Sequence, residues 1–236
     1  MSPSATHTQN KDNASVVDRS NRMADVAYRA LKKRIISHAL APGVMVLEEE
    51  VALMLGMSRT PVREAAVRLE QEGFLELVPR RGMRARPLSK RAIREINEVL
   101  ECLEIQAAER LASRHLSAEE LKRLDTAIAN MDAALTADDI QAWAQADYEF
   151  HSLVIEMCGN AHLAEVARIF LDKAHRFRLL TLSVRAKPVY SNTNHAAVVE
   201  AVRRNDPQTA QDIHRAHKRR WSRELVELLD RLDLPD

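Results

Sequence analysis

Four residues of metal-binding type recur at helical spacing in the second half of the chain. In "WAQADYEFHSLVIEMC", Trp143, Asp147, His151, Val154 and Cys158 follow steps of 4, 4, 3 and 4. That puts Asp147 and His151 on the inward stripe of one helix, a turn apart. In "NHAAVVEAV", His195 lines up with Val198, Val199 and Val202. In the last helical segment Ala210, Ile213, His217, Trp221, Leu225 and Leu228 form the apolar stripe, with His217 inside it. A carboxylate and three imidazoles facing one helical core are costly to bury unless they share a partner. A divalent cation is such a partner, and this donor set suits Zn, Ni, Mn or Fe. Any one of these histidines alone reads as a hydrogen-bonded core residue, and Asp-x3-His occurs by chance; the four together carry the metal reading. His214, one turn before His217, is expected behind the ligands or at the surface.

A second chemistry is cationic. The stretch "SRTPVREAAVRLEQEGFLELVPRRGMRARPL" runs from Ser58 to Leu88 and ends in Arg80, Arg81, Arg84 and Arg86, with Gly82 between the pairs. The whole chain of 236 residues has a net charge of only +1. Residues 22–94, however, hold fifteen Lys and Arg against eight Asp and Glu, a surplus of +7, while residues 95–236 hold 18 against 24, a deficit of −6. A basic front on an acidic body points to a polyanion partner for the front alone.

The elements that must carry these residues are mostly helical. The chain is 46% hydrophobic and only 4% aromatic, with Leu, Ala, Val and Ile at helix-like spacing. Residues 1–21 are polar without apolar period and read as a disordered tail. A helix is expected from Arg22 to His38, then a short strand at Val44–Val46 and a short helix from Glu48 to Gly56. A third helix is capped by Ser58 or Thr60, with Pro61 in its first turn, and runs to Gly73. "FLELV" and "MRARPL" are strands joined by the turn "PRRG". This order is a winged helix-turn-helix domain over 22–87. The helix from Ser58 would be its recognition helix, with Arg59, Thr60 and Arg63 toward base edges and the wing arginines on phosphate. Gly82 lets the wing tip turn tightly. Residues 88–236 read as six helices broken near 114–117, 136–138, 159–160, 187–188 and 206–207. No apolar run spans a membrane and the N-terminus lacks a signal-peptide core, so a cytoplasmic place is expected. Cys102 and Cys158 read as buried small hydrophobes.

"APGVMVLEEEVALMLGMSRTPVREAAVRLEQEGFLELVPRRGMRARPLS" resembles the winged-helix domain of GntR-family transcription factors, most closely in "SRTPVREA", "LEQEGFLEL" and "RRG". The resemblance implies DNA contacts from Arg59, Thr60, Arg63 and Gly82, and the full candidate set is Ser58, Arg59, Thr60, Arg63, Arg80, Arg81, Gly82 and Arg84. Some relatives carry an arginine where this chain has Glu48–Glu50. "DYEFHSLVIEMCGNAHL" and "NHAAVVEAVRRNDPQTAQDIHRAHKRR" are similar to the FCD domain, the helical effector domain of the FadR-type subfamily, and six helices resemble its VanR-type branch. The resemblance implies metal ligation by Asp147, His151, His195 and His217. Many members have "EVRxxLE" in the first body helix, where this chain has Leu100 in "EVLECLE"; Arg178 is the candidate substitute for that effector-binding arginine.

The expected function is a ligand-responsive regulator that binds a double-stranded, palindromic operator as a homodimer, and represses. A divalent metal would hold a small organic acid effector. One alternative is a regulator that senses metal alone. The other is a metal-dependent hydrolase or lyase, which would need a general base beside the ligands; Glu149 and Glu156 leave the inward stripe, so no enzyme is expected.

Overall fold

The computed structural model describes residues 8–182, 184, 185, 187–232 and 234–236. The chain divides into two compact units, Met1–Pro87 and Leu88–Asp236.

The first unit holds α1 (Thr8–Ile36), β1 (Met45–Val46), α2 (Glu48–Leu55), α3 (Arg59–Gln71), β2 (Leu75–Val78) and β3 (Gly82–Ala85). The helix α1 begins at Thr8 rather than Arg22, so the expected tail is corrected over 8–21. No Gly or Pro interrupts that stretch, and a helix propagates at little cost per residue once nucleated. Residues 1–7 lie outside the described residues. Ala27, Leu31 and Ile35 of α1 pack with Val62, Ala65 and Leu69 of α3 in a closed core. A polar latch reinforces them: Tyr28 donates to both carboxylate oxygens of Glu72 at 2.8 and 2.9 Å, and Lys32 reaches Glu72 Oε2 at 3.0 Å. The turn between α2 and α3 uses Gly56 in the left-handed region, φ +65°.

The wing is a three-stranded antiparallel sheet in the order β1-β3-β2, so the short strand Met45–Val46 joins the expected hairpin. Arg80, φ +63°, is the left-handed residue of the tip. Gly82, φ +97°, is required for a different reason than a tight tip: a Cβ there would stand 2.2 Å from the carbonyl oxygen of Val46. The strand β3 can pair with β1 only because position 82 has no side chain.

The second unit consists of α4 (Lys90–Ala112), α5 (Ala118–Thr136), α6 (Ile140–Glu156), α7 (Ala161–Thr181), α8 (Val189–Arg203) and α9 (Pro207–Asp230). These six helices fall between the expected breaks. Side chains of Ser89, Ser117, Asp139, Asn160 and Asp206 cap five of them, each accepting from an N–H of the first turn. Their apolar stripes meet in one core, from Leu111, Leu124 and Met131 to Trp143, Phe150 and Val198. Cys158 is buried as expected. Cys102 is exposed, on the far side of α4 from the buried Leu100 and Leu111.

Substitution of Gly82 by Ala should destabilise the wing by about 1–3 kcal/mol or more, from positive-φ strain and the clash with Val46. Native-state hydrogen exchange of the β1 and β3 amides measures this; protection equal to that of the parent protein contradicts the close approach.

Candidate metal centre and nucleic-acid interface

Five of the six body helices send polar side chains into the core at one level, α7 through Arg178 (7% exposed). From α6 come Asp147 (2% exposed) and His151 (1%), from α8 His195 (0%), and from α9 His214 (0%) and His217 (8%). The helix α4 adds Glu104 (0%), and α9 adds Lys218 (5%). Two sets of donor atoms come together: His151, His195 and His217, each offering one atom within 4.8 Å of the others, and Glu104, His151 and His214 on the same criterion. His151 belongs to both.

Asp147 sits beside the first set. Its Oδ1 is 3.0 Å from His195 Nε2 and 3.8 Å from His151 Nε2, and its Oδ2 accepts from Arg178 Nη1. The candidate effector residue Arg178 therefore does reach the cluster, but its charge is already matched by an aspartate. Glu104 Oε1 stands 2.7 Å from His151 Nδ1, and Oε2 pairs with the Lys218 ammonium. Burial pushes the Glu104 carboxyl up, but His151 and Lys218 outweigh it and hold it well below the usual range. Asp147 is likewise pushed up by burial and held well below its usual value by Arg178 and His151. Each buried carboxylate is thus matched by a cation, Asp147 by Arg178 and Glu104 by Lys218.

Three of the imidazoles, His195, His214 and His217, are kept neutral. Burial lowers His195 to about 4, and depresses His214 and His217 well below the ordinary histidine value. Neutral imidazole is the metal-binding form. Neither ring nitrogen of His214, nor Nδ1 of His195 or His217, has a hydrogen-bond partner among the described residues. Buried nitrogens without partners are expensive, and a cation that accepts their lone pairs relieves that cost. By donor type, neutrality and convergence, the residues fit a divalent transition metal.

Glu104 and Lys218 were missed from sequence, and His214 was expected farther out. A signal existed. Glu104 falls in the stripe Leu100, Glu104, Ala107, Ala108, Leu111, and Lys218 one turn after His214. Charged residues on amphipathic helices are usually solvated, which hides such cases.

In the first unit, Ser58, Arg59, Thr60 and Arg63 are exposed on the first turns of α3. Arg59, Arg63, Arg80 and Gly82 line one groove of about 570 Å³ between α3 and the wing. Ser58 occupies the N-cap position without a side-chain cap bond, so the first N–H groups of α3 are not capped by it. Arg81 is exposed at the tip. Arg84 instead pairs across the sheet with Glu76 at 2.8 Å, and Arg86 Nε donates to the carbonyl of Leu75 at 3.1 Å. Of the three glutamates at 48–50, Glu50 accepts from the N–H of Leu47 at 2.7 Å, while Glu48 lies 3.7 Å from Arg59.

The buried histidines fix a pH dependence. His175 is also lowered to about 4, by burial and the nearby Arg178. Below about pH 6.5 the unfolded chain takes up protons that folded His175 and His195 refuse until about pH 4. Their stabilisation is complete above pH 6.5 and is lost as pH falls toward 4. The melting temperature of chelator-treated protein should drop by several degrees across that window. A flat profile from pH 7 to 4.5 contradicts the burial of neutral imidazoles.

Known proteins share this two-part organisation. Residues 23–84 match the bacterial regulatory proteins of the gntR family, and residues 95–220 match the FCD domain. The chain is 40% identical over 131 residues to an HTH-type transcriptional regulator in the TAR-I ttuE-ttuC' intergenic region of Agrobacterium vitis, covering 55% of this chain and 77% of that protein. It is 28% identical over 187 residues to the gluconate operon transcriptional repressor of Bacillus subtilis, covering 77% and 75%. Among solved structures, McbR/YncC of E. coli superposes with a TM-score of 0.73 at 22% identity, over 87% of this chain and 97% of that one. Among the described residues no helix is long and apolar enough to cross a membrane. A gntR-type winged helix followed by an FCD domain makes this chain a member of the GntR family of bacterial transcriptional regulators.

Proposed function

We propose that this regulator is a cytoplasmic, homodimeric repressor whose second unit binds a divalent metal and a small organic acid that releases the operator. The single observation that carries the reading is the position of His217, which belongs to the buried imidazole set and also lines an open cavity of about 250 Å³. A metal held by His151, His195 and His217, with Asp147 beside them, would offer an acid carboxylate a Lewis-acidic partner reachable from solvent. Charge supports an acidic ligand. The carboxylates Asp147 and Glu104 already balance Arg178 and Lys218, so a divalent cation adds two uncompensated positive charges to a buried site. Acid binding would then bias the packing of the body and hence the state competent for DNA. The names of relatives such as the E. coli repressor RspR favour repression.

On DNA, Arg59 and Arg63 are assigned to base readout, Thr60 and Ser58 to the α3 N-terminus, and Arg80, Arg81 and the Gly82 tip to phosphate. Arg84, held by Glu76, contributes field more than contact. A two-fold operator calls for a dimer, which supplies a second recognition helix. A hydrolase is disfavoured because the carboxylates nearest the imidazoles, Asp147 and Glu104, are already matched by Arg178 and Lys218 and do not stand ready as a general base. Operator titrations test the reading. Arg63→Ala should lose about 1–3 kcal/mol on the operator and little on random DNA, whereas Arg81→Ala should weaken both and flatten the salt dependence. His217→Ala should bind the operator as the parent does but no longer release it with acid. Equal losses on both DNAs for Arg63→Ala, or normal release by His217→Ala, contradict the assignment.

A further inference from the structure

The cavity that exposes His217 is also lined by cationic side chains. Its wall includes Arg185, Lys187, Tyr190, Arg220 and Trp221. Two of these cations are already matched: Lys187 with Asp138 at 2.6 Å and Arg220 with Glu224 at 2.9 Å. Arg185 is not. Among the described residues its guanidinium makes no ion pair or hydrogen bond; it lies 4.3 Å from the Trp221 ring centroid and 5.2 Å from that of Trp143. Stacking on indole faces leaves the planar edge with its N–H donors for a ligand.

The clamp is rigid. Trp143 Nε1 donates to Asn192 Oδ1 at 2.8 Å, and Asn192 Nδ2 donates to Asp132 at 2.7 Å. Trp221 Nε1 donates to Asn97 Oδ1 at 3.0 Å. Each ring N–H is therefore already hydrogen-bonded, and an anion that enters meets the guanidinium held between the two fixed rings. The free guanidinium is also held in an unfavourable setting. Burial, with Arg178 adding repulsion, lowers its pKa to about 10. An anion beside it removes that penalty.

We propose that Arg185, clamped between Trp143 and Trp221, anchors a second anionic end of the effector, which makes the effector a small dicarboxylate rather than a monocarboxylic acid. This rests on the reading that a metal at the imidazole set takes the first carboxylate. Two anion receptors in one cavity of about 250 Å³ suit a short chain carrying an acid at each end. The same charge count favours it: metal and Arg185 together bring three positive charges, Arg220 and Arg231 of the wall stand against Glu224 and Glu227, and a dianion leaves a smaller remainder than a monoanion.

The chain contains only two tryptophans, and they are the two that flank Arg185, so intrinsic fluorescence reports on this place directly. Full-length protein is titrated with succinate, malate, glutarate and adipate and with the matched monocarboxylates butyrate, 3-hydroxybutyrate, valerate and hexanoate, by fluorescence and by calorimetry, with bound metal measured in each sample. At least one dicarboxylate should bind about 10- to 100-fold more tightly than its monocarboxylate, the loss expected for a charge-assisted pair. Arg185→Gln should reduce the dicarboxylate to the monocarboxylate level without changing bound metal or melting temperature; Arg185→Lys should keep part of the preference. Equal affinity of Arg185→Gln and parent for the best dicarboxylate, no difference between the two classes of acid, or no response to any dicarboxylate overturns the proposal. Arg185-dependent dicarboxylate binding by protein that holds no metal upholds the arginine anchor and overturns the metal reading instead.

Discussion

Taking Asp147 and Glu104 out of water costs several kcal/mol per charge unless each is met by a cation and by further polar contacts. In this protein the cations come from other helices: Arg178 on α7 meets Asp147 on α6, and Lys218 on α9 meets Glu104 on α4. His151 on α6 touches the Glu104 carboxylate, and His195 on α8 the Asp147 carboxylate. Five helices are thus tied to one polar centre inside an otherwise apolar bundle. Hydrophobic burial would tolerate many small shifts between these helices. The ion pairs do not, because a slip leaves a buried charge without a partner. The level at which the helices meet is set there, and a ligand that perturbs the centre acts on every helix it joins.

That constraint explains both the charge balance and the histidines. Arg178 and Lys218 match the two carboxylates, while His195, His214 and His217 are forced neutral by burial and left with nitrogens that nothing among the described residues satisfies. A cluster built only for stability would be better served by apolar side chains of similar volume. Neutral, converging, unsatisfied donors fit a cation site, and a divalent cation held there would bring the surplus positive charge that suits an acidic ligand. The winged-helix unit follows a simpler rule. Glycine at position 82 admits β1 to the sheet, while β2 packs on α3, so that arginines from helix and wing line one groove.

Periodicity made much of this legible. Steps of three and four placed Asp147, His151, His195 and His217 inward, and the breaks at Ser117, Asn160 and Asp206 marked three of the helix starts because their side chains cap them. The two-unit reading came from a change of pattern and charge near Pro87. Glu104 and Lys218 escaped because a charged residue within an apolar stripe is rare, and nothing local in α4 or α9 announces the partner that stabilises it. Arg185 escaped for another reason: it lies between α7 and α8, outside any helical period, and its neighbours Trp143 and Trp221 come from distant segments. The pairing of Arg84 with Glu76 depends on strand register, which the turn alone did not fix. The length of α1 was underestimated because polar composition was taken as disorder where no helix breaker was present.

The centre's identity as a metal site is the claim on which effector binding and allosteric coupling turn. It is tested most directly by elemental analysis of the native protein, purified without chelator or affinity metal, beside His151→Ala, which removes the residue common to both donor sets. About one equivalent of a divalent transition metal per chain is expected, falling below a tenth in His151→Ala while the helical content is retained. A metal-free native protein that also takes up no Zn, Ni, Mn or Fe on titration would contradict it.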